Sequence, residues 1–271
     1  MKVLEKVPEF DWQKHRAYVD NSFVMPASAG SFTDKVRFKL EYKLYAMRWR
    51  LRVFKSFVYL AIFFPRIVAI QLEARRNGGL AKSMQWIRLA ETVRLVKAFA
   101  PESICELGTG TSSALFAVLC PNKTTSFEED EYWLKRTCEY LGDLSRLVSL
   151  NHAKRVVADK EGELVCFYDM DHSRSYDFIY LDGPVSDVPE EYRGRAVKDP
   201  KGYIPCIDVE LFWENGIYPR VIVIDTRRAS VRRLLEKSKG KYKVFLKSDL
   251  YWNFNQPSPG KYIFHTVLVR V

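Results

Sequence analysis

Four apolar runs in this chain each finish in a carboxylate. The segments 103–107, 123–127, 177–181 and 221–224 read as strands, and they deliver Glu106, Glu128, Asp182 and Asp225. Short apolar runs bounded by turn formers are the pattern of strands buried on both faces. In an open α/β sheet the ligand crevice lies outside the carboxyl ends of the strands. Four acids on that one edge restrict the chain to an α/β fold with a single polar rim.

The segments between these runs support the same class. Residues 81–99 predict an amphipathic helix, with Met84, Ile87, Leu89, Val93, Leu95, Val96 and Phe99 as its apolar positions, ended by Pro101. Further helices are expected over 112–119, 130–141, 207–214 and 230–238, and strands over 147–151, 164–168, 242–247 and 262–269. The alternation gives a mainly parallel sheet closed by a terminal strand pair. No repeat or low-complexity tract interrupts it.

Charge divides the chain. Residues 1–100 hold 19 Lys and Arg against 8 Asp and Glu, whereas residues 101–271 hold 24 against 25. The whole excess of +10 therefore lies before the first carboxylate-tipped strand. Two parts are expected: a basic, aromatic-rich extension over 1–80 and a catalytic domain over 81–271. Residues 35–76 fit either helix or, from Lys35 to Leu44, an alternating strand. Their uncharged stretch, Phe57 to Phe64, is broken by Pro65-Arg66 before Ile67 to Ile70. That is short of the ~20 residues a bilayer crossing requires. Two expectations follow for the extension: helices packed on the domain or forming a homo-oligomer, or attachment to an anionic membrane surface.

Five scattered cysteines without a Cys-x-x-Cys pair predict neither a zinc site nor a disulfide framework. The segment Met1–Asp11 lacks an apolar stretch of signal-peptide length. A cytoplasmic location is expected, on the inner face of the membrane if the extension binds lipid.

The first strand runs into Glu106-Leu107-Gly108-Thr109-Gly110-Thr111-Ser112. Glycine lets the backbone approach a ligand closely, and the following helix start offers free N–H groups. Ser113 stands where the dinucleotide fingerprint would carry a third small residue. Glu128 follows Glu106 by 22 residues, at the place where an acid accepts both hydroxyls of a ribose. Acids that follow it, Glu129 and Asp130, also suit a helix N-terminus.

With Tyr180-Leu181-Asp182-Gly183-Pro184, Phe127-Glu128, His152-Ala153, Phe167-Tyr168-Asp169 and Ile224-Asp225 added, residues 81–271 resemble a class I S-adenosylmethionine (SAM)-dependent methyltransferase of bacterial type. The resemblance implies a Rossmann-like seven-stranded sheet with helices on both faces. It implies that Glu106, Gly108 and Gly110 shape the methionine side of the pocket, with Thr109, Thr111 and Ser112 beside them. Glu128 would take the ribose hydroxyls, with Glu129 next to it among the cofactor residues; Asn151, His152 and Ala153 would lie near the adenine, and Asp182 would face the methyl donor or acceptor. SAM arrives activated, so alignment and water exclusion dominate the catalysis. An oxygen acceptor also loses a proton, for which Asp182, His152 and His172 are the candidate bases. A metal-dependent variant would set Mg²⁺ on Asp182 and Asp225, with Thr226 where a third ligand is expected.

The implied acceptor is a small molecule, glycan or lipid-linked intermediate. RNA methylation is a rival, weakened by the near-neutral charge of 101–271. So is a non-catalytic membrane-associated binding protein on the same fold.

Overall fold

The computed structural model describes residues 32–76, 85–195, 197–199, 202–238, 240–246 and 264–271. Seven strands form one sheet. In chain order they are β1 (Ile104–Leu107), β2 (Thr124–Glu128), β3 (Val148–His152), β6 (Phe178–Leu181), β7 (Val221–Asp225), β8 (Tyr242–Leu246) and β9 (His265–Arg270). Their spatial order is β3-β2-β1-β6-β7-β9-β8. Pairs from β3 to β7 are parallel, and β9 runs antiparallel between β7 and β8. This is the Rossmann-like α/β sheet expected from the sequence. Order reverses between β1 and β6, which opens the crevice where the polar rim lies.

The central strands are apolar throughout because both faces are covered. Successive side chains point to opposite faces. Cys105, Leu107, Ile179, Leu181, Ile222 and Ile224 face a layer that includes Leu164, Tyr168, Phe212 and Leu234. Ile104, Phe178, Tyr180, Val221 and Val223 face the opposite layer, with Trp86, Leu89, Val93, Val96, Leu115 and Phe116. Burying one such Val, Leu, Ile or Phe side chain contributes about 1.5–3 kcal/mol.

The second layer includes part of the N-terminal extension, which is helical. Helix α1 spans Phe32–Phe63, and α2 spans Pro65–Arg76. Leu60, Phe64, Ile67 and Val68 join the core of α3 (Gln85–Phe99) and α4 (Thr111–Leu119). Ile70 and Ala74 pack on Ala114, Ala117, Tyr140 and Leu141. Residues on both sides of the expected boundary at 80 thus share one core. No helix among the described residues is long and apolar enough to cross a membrane.

Helix α5 (Glu131–Leu141) starts on Asp130, whose Oδ1 accepts from the Tyr132 and Trp133 N–H groups. Such a cap is worth ~1 kcal/mol. The remaining helices are α6 (Asp208–Glu214) and α7 (Arg228–Lys237). Strands β4 (Arg155–Lys160) and β5 (Glu163–Tyr168) form a separate antiparallel hairpin. The sequence predicts β5 but not its partner. Arg-Val-Val-Ala-Asp-Lys is only half-buried, so no sustained apolar run marks it.

Arg232 and Arg233 of α7 are both engaged with carboxylates: Arg232 pairs with Glu163 and Glu236. Arg233 is buried, donating to both oxygens of Glu210 at 2.6 and 2.9 Å and to Glu163 at 2.9 Å. On the loop that follows β6, Arg195 pairs with Asp159, Arg193 with Glu190 and Lys198 with Glu163. They are tied to the hairpin and their own loop rather than presented to the polar rim.

Candidate active site

A cavity of about 330 Å³ opens at the carboxyl edge of β1, β2 and β6. That volume suits a small-molecule or cofactor site. Its floor is a contact between two glycines. Gly108 has φ +92°, and a Cβ there would come within 2.7 Å of the Gly183 nitrogen and 2.8 Å of the Asp182 carbonyl carbon. A Cβ on Gly183 would collide with the Tyr168 hydroxyl and come within 2.6 Å of the Gly108 nitrogen. The loops after β1 and β6 therefore touch through bare backbone. The Gly183–Pro184 peptide is cis. Glycine is required at both positions, for conformation at Gly108 and for space at both.

Below that floor Glu106 is fully buried. Its Oε2 accepts from Ser113 Oγ at 2.7 Å and Ser126 Oγ at 2.5 Å, while Oε1 has no partner. Burial pushes its carboxyl up to about 7, against the opposing effect of the serine hydroxyls. At the tip of β2, Glu128 accepts four bonds. Thr109 donates its N–H at 2.9 Å and its hydroxyl at 3.0 Å to Oε2, and the N–H groups of Glu129 and Asp130 donate to Oε1. A carboxylate offers about four lone-pair sites, so Glu128 is saturated by its own chain. Glu129 is not. Its Oε1 accepts from the Val185 N–H at 2.7 Å, and its buried Oε2 has no hydrogen bond.

The far wall carries an arginine that the sequence did not single out. Arg88 of α3 donates through Nε to Asp225 Oδ2 at 2.7 Å, and through Nη2 to the same oxygen and to Asp182 Oδ2 at 2.9 Å. Tyr180 donates its hydroxyl to Asp225 Oδ2 at 2.9 Å and lies 3.1 Å from His265 Nε2. His265 Nδ1 stands 2.9 Å from Glu91 Oε2. The result is a buried polar chain from Asp182 through Arg88, Asp225, Tyr180 and His265 to Glu91. Burial alone would raise the Asp225 carboxyl, but Arg88 and His265 hold it below the usual carboxylate range. Desolvation raises Asp182 above that range, with the Asp225 charge adding to it and Arg88 and Arg227 opposing. Arg227 also clasps the loop after β6, donating to the carbonyls of Asp182 and Pro184.

Of the residues expected at the cofactor, Gly108, Thr109, Gly110, Thr111, Ser112, Glu128, Glu129 and Asp182 all line this cavity, and Glu106 lies beneath it. Asn151, His152 and Ala153 do not. Their polar groups tie the strand ends together: Asn151 Nδ2 to Ser126 O, His152 Nε2 at 3.0 Å from Glu129 O, and Ala153 N–H to Glu128 O. His152 thus stands at the end of β3, with Nδ1 3.8 Å from Glu131 Oε1. His172 is also placed away from the cavity. Its Nε2 pairs with buried Asp208 at 2.9 Å and its ring packs edge-on against Phe212. The cavity adds residues beyond those predicted: Gln71 and Ala74 from α2, Gln85 and Arg88 from α3, Trp133 and Tyr140 from α5, and Tyr168.

The Mg²⁺ expectation does not fit these residues. Oδ2 of both Asp182 and Asp225 is taken by the Arg88 guanidinium, whose positive charge stands between the two carboxylates where a cation would have to sit. No group of three or more His, Cys, Asp or Glu among the described residues could hold a metal ion. A nucleoside-bearing cofactor does fit. Besides the glycine floor, the buried Glu129 Oε2, Gln71 Oε1, Tyr140 OH and Tyr168 OH lack hydrogen bonds and belong to residues lining the cavity. Buried polar atoms of this kind ordinarily have a partner.

No family model matches the chain, and no curated protein matches it. Solved structures do. An O-methyltransferase from Bacillus cereus in complex with SAH is 14% identical, with 79% of this chain and 95% of that chain covered and a TM-score of 0.44. The O-methyltransferase TomG from Streptomyces achromogenes, involved in tomaymycin synthesis and solved with SAM, is 14% identical over 79% and 95% of the two chains, with a TM-score of 0.43. A methyltransferase from Geobacter sulfurreducens is 14% identical over 79% and 94%, with a TM-score of 0.43. At that identity and superposition they carry no conclusion about the chemistry of this chain.

Proposed function

We propose that this chain is a SAM-dependent methyltransferase acting on an oxygen of a small molecule, glycan or lipid-linked intermediate. The carrying observation is the glycine-on-glycine floor beneath a polar cavity whose rim supplies Glu129. The motif from Glu106 to Ser112 and the Leu-Asp-Gly-Pro turn make that floor together, which explains why both occur in one sequence. SAM supplies an activated methyl group when bound. Gly108, Thr109 and Gly110 present backbone to it, and Glu129 Oε2 accepts from the ribose diol. Glu128 acts one step back, holding the Thr109 loop in place.

Asp182 stands a third exposed at the mouth. Its raised carboxyl makes it a stronger base than an ordinary aspartate, and it takes the proton from the acceptor hydroxyl. Arg88 fixes that carboxylate by its Oδ2 and leaves Oδ1 toward Arg227, 3.9 Å from its Nε. The helices α2 and α3 wall the acceptor side through Gln71 and Gln85. Both mouth arginines already face carboxylates, which favours a small acceptor over a polyanion such as RNA.

A thermal-shift panel with S-adenosylhomocysteine, NAD⁺ and ATP tests the cofactor. A ligand at 100 times its Kd adds about 2.7 kcal/mol to stability. S-adenosylhomocysteine is expected to raise Tm and the other two to leave it unchanged. Stabilisation by NAD⁺ instead would defeat the proposal.

A further inference from the structure

We propose that the outward face of α1 docks on an anionic lipid bilayer surface. Along this helix Leu40, Leu44, Met47, Leu51, Phe54 and Ile62 are all exposed, from 40% for Leu44 to 66% for Ile62. Their spacing places them in one stripe. At roughly 100° per residue they fall within an arc of about 80°. Ser56 and Leu60, which are buried against the domain, lie on the opposite side of the helix. The stripe extends about 33 Å from Leu40 to Ile62. A helix with one face in the core and a continuous apolar line on the other is not explained by packing among the described residues.

Charge selects the occupant. Exposed Lys43 and Arg50 flank the stripe on one side and exposed Lys55 on the other, roughly 60–80° from its centre. Between Leu40 and Phe63 the sequence has Lys43, Arg48, Arg50, Arg52 and Lys55 against Glu41 alone. An apolar line between two basic edges matches an interface with acyl chains below and anionic headgroups beside it. A second copy of α1 suits it less. The four-three spacing of Leu40, Leu44, Met47, Leu51 and Phe54 would permit a coiled coil, but the flanking positions would then set basic residues against basic residues. The inference is independent of the methyl-transfer reading, since none of its readouts involves the cofactor.

Vesicle flotation of the full chain tests it, with phosphatidylcholine alone and with about a third phosphatidylglycerol. Binding is expected on the anionic vesicles and is expected to weaken with salt. The double variant L51E/F54E is expected to lower partitioning about tenfold or more. Neutralisation to Gln at Lys43, Arg50 or Lys55 is expected to lower it about fivefold per residue at low salt. All five positions are largely solvent-facing, and circular dichroism confirms that the variants fold. Failure of the intact chain to bind anionic vesicles, or equal binding by L51E/F54E, overturns the proposal. Light scattering that shows a dimer converted to monomer by L51E/F54E would overturn it in favour of self-association.

Discussion

Replacing Arg88 by leucine isolates the interaction on which the cavity wall depends. Asp225 is fully buried and accepts from Arg88 Nε, Arg88 Nη2 and Tyr180. In the variant it keeps the Tyr180 hydroxyl and the His265 ring at 3.8 Å, and the buried carboxylate loses its nearest counter-charge. Removing one partner of a buried ion pair costs about 3–5 kcal/mol. For a chain of this size 1 kcal/mol moves Tm by about 2–4 °C, so the expected drop at pH 7 is about 6–20 °C. The pH dependence gives a second, independent check. In the parent protein Asp225 sits below the usual carboxylate range, so its contribution is present at neutral pH and is lost as pH falls through that range. In Arg88→Leu the same group loses the largest influence opposing its desolvation and moves up, so acidification relieves the variant. The stability gap between the two proteins therefore narrows from pH 7 to pH 5. Glu106 titrates in both and cancels in the difference. Arg88→Lys keeps the charge but not the forked geometry, and is expected to fall between them. Chemical denaturation at the two pH values measures the gap. A cost below about 1 kcal/mol, or a gap that does not change with pH, would refute the reasoning.

The other variants separate binding from support. Gly108→Ala must move the loop after β6, because its Cβ would lie 2.7 Å from the Gly183 nitrogen at φ +92°, and it is expected to weaken S-adenosylhomocysteine about tenfold or more in a titration. Glu106→Gln removes a carboxyl raised to about 7, whose ionisation costs stability as pH rises from 4.5 to 7. That variant is expected to gain up to about 3 kcal/mol above pH 7 in urea unfolding while binding cofactor less well. Arg233→Leu leaves Glu210 buried without its cation, while Glu163 keeps Arg232 and Lys198, and is expected to lower stability by about 3–5 kcal/mol with cofactor affinity unchanged in the folded fraction.

Much of this was legible because strand tips announce themselves locally. An apolar run, an acid and a glycine within one short segment place Glu106, Glu128 and Asp182 on the same edge without knowledge of the strand order. Arg88 had no such signal. It sits among Trp86, Ile87, Leu89, Ala90 and Val93, and its partners are 94 and 137 residues away. In retrospect the polar positions Arg88, Glu91 and Thr92 mark one side of an otherwise apolar helix, which is a spacing signal that the apolar reading passed over. The division of labour between Glu128 and Glu129 was hidden for a different reason. Both stand at a strand end in the right place, and only the hydrogen-bond count shows that one is saturated. His152 and His172 were candidates by residue type alone. Burial and partners, not sequence, decide what an isolated histidine does.

Isothermal titration with S-adenosylhomocysteine, on the intact protein and on Glu129→Gln and Glu128→Gln, tests the central claim most directly. The account predicts saturable binding to the intact chain and a loss of about tenfold or more in Glu129→Gln without loss of stability. Glu128→Gln is predicted to weaken binding together with a lowered Tm, because it loosens the Thr109 loop. A folded, intact protein that takes up no S-adenosylhomocysteine would contradict the account.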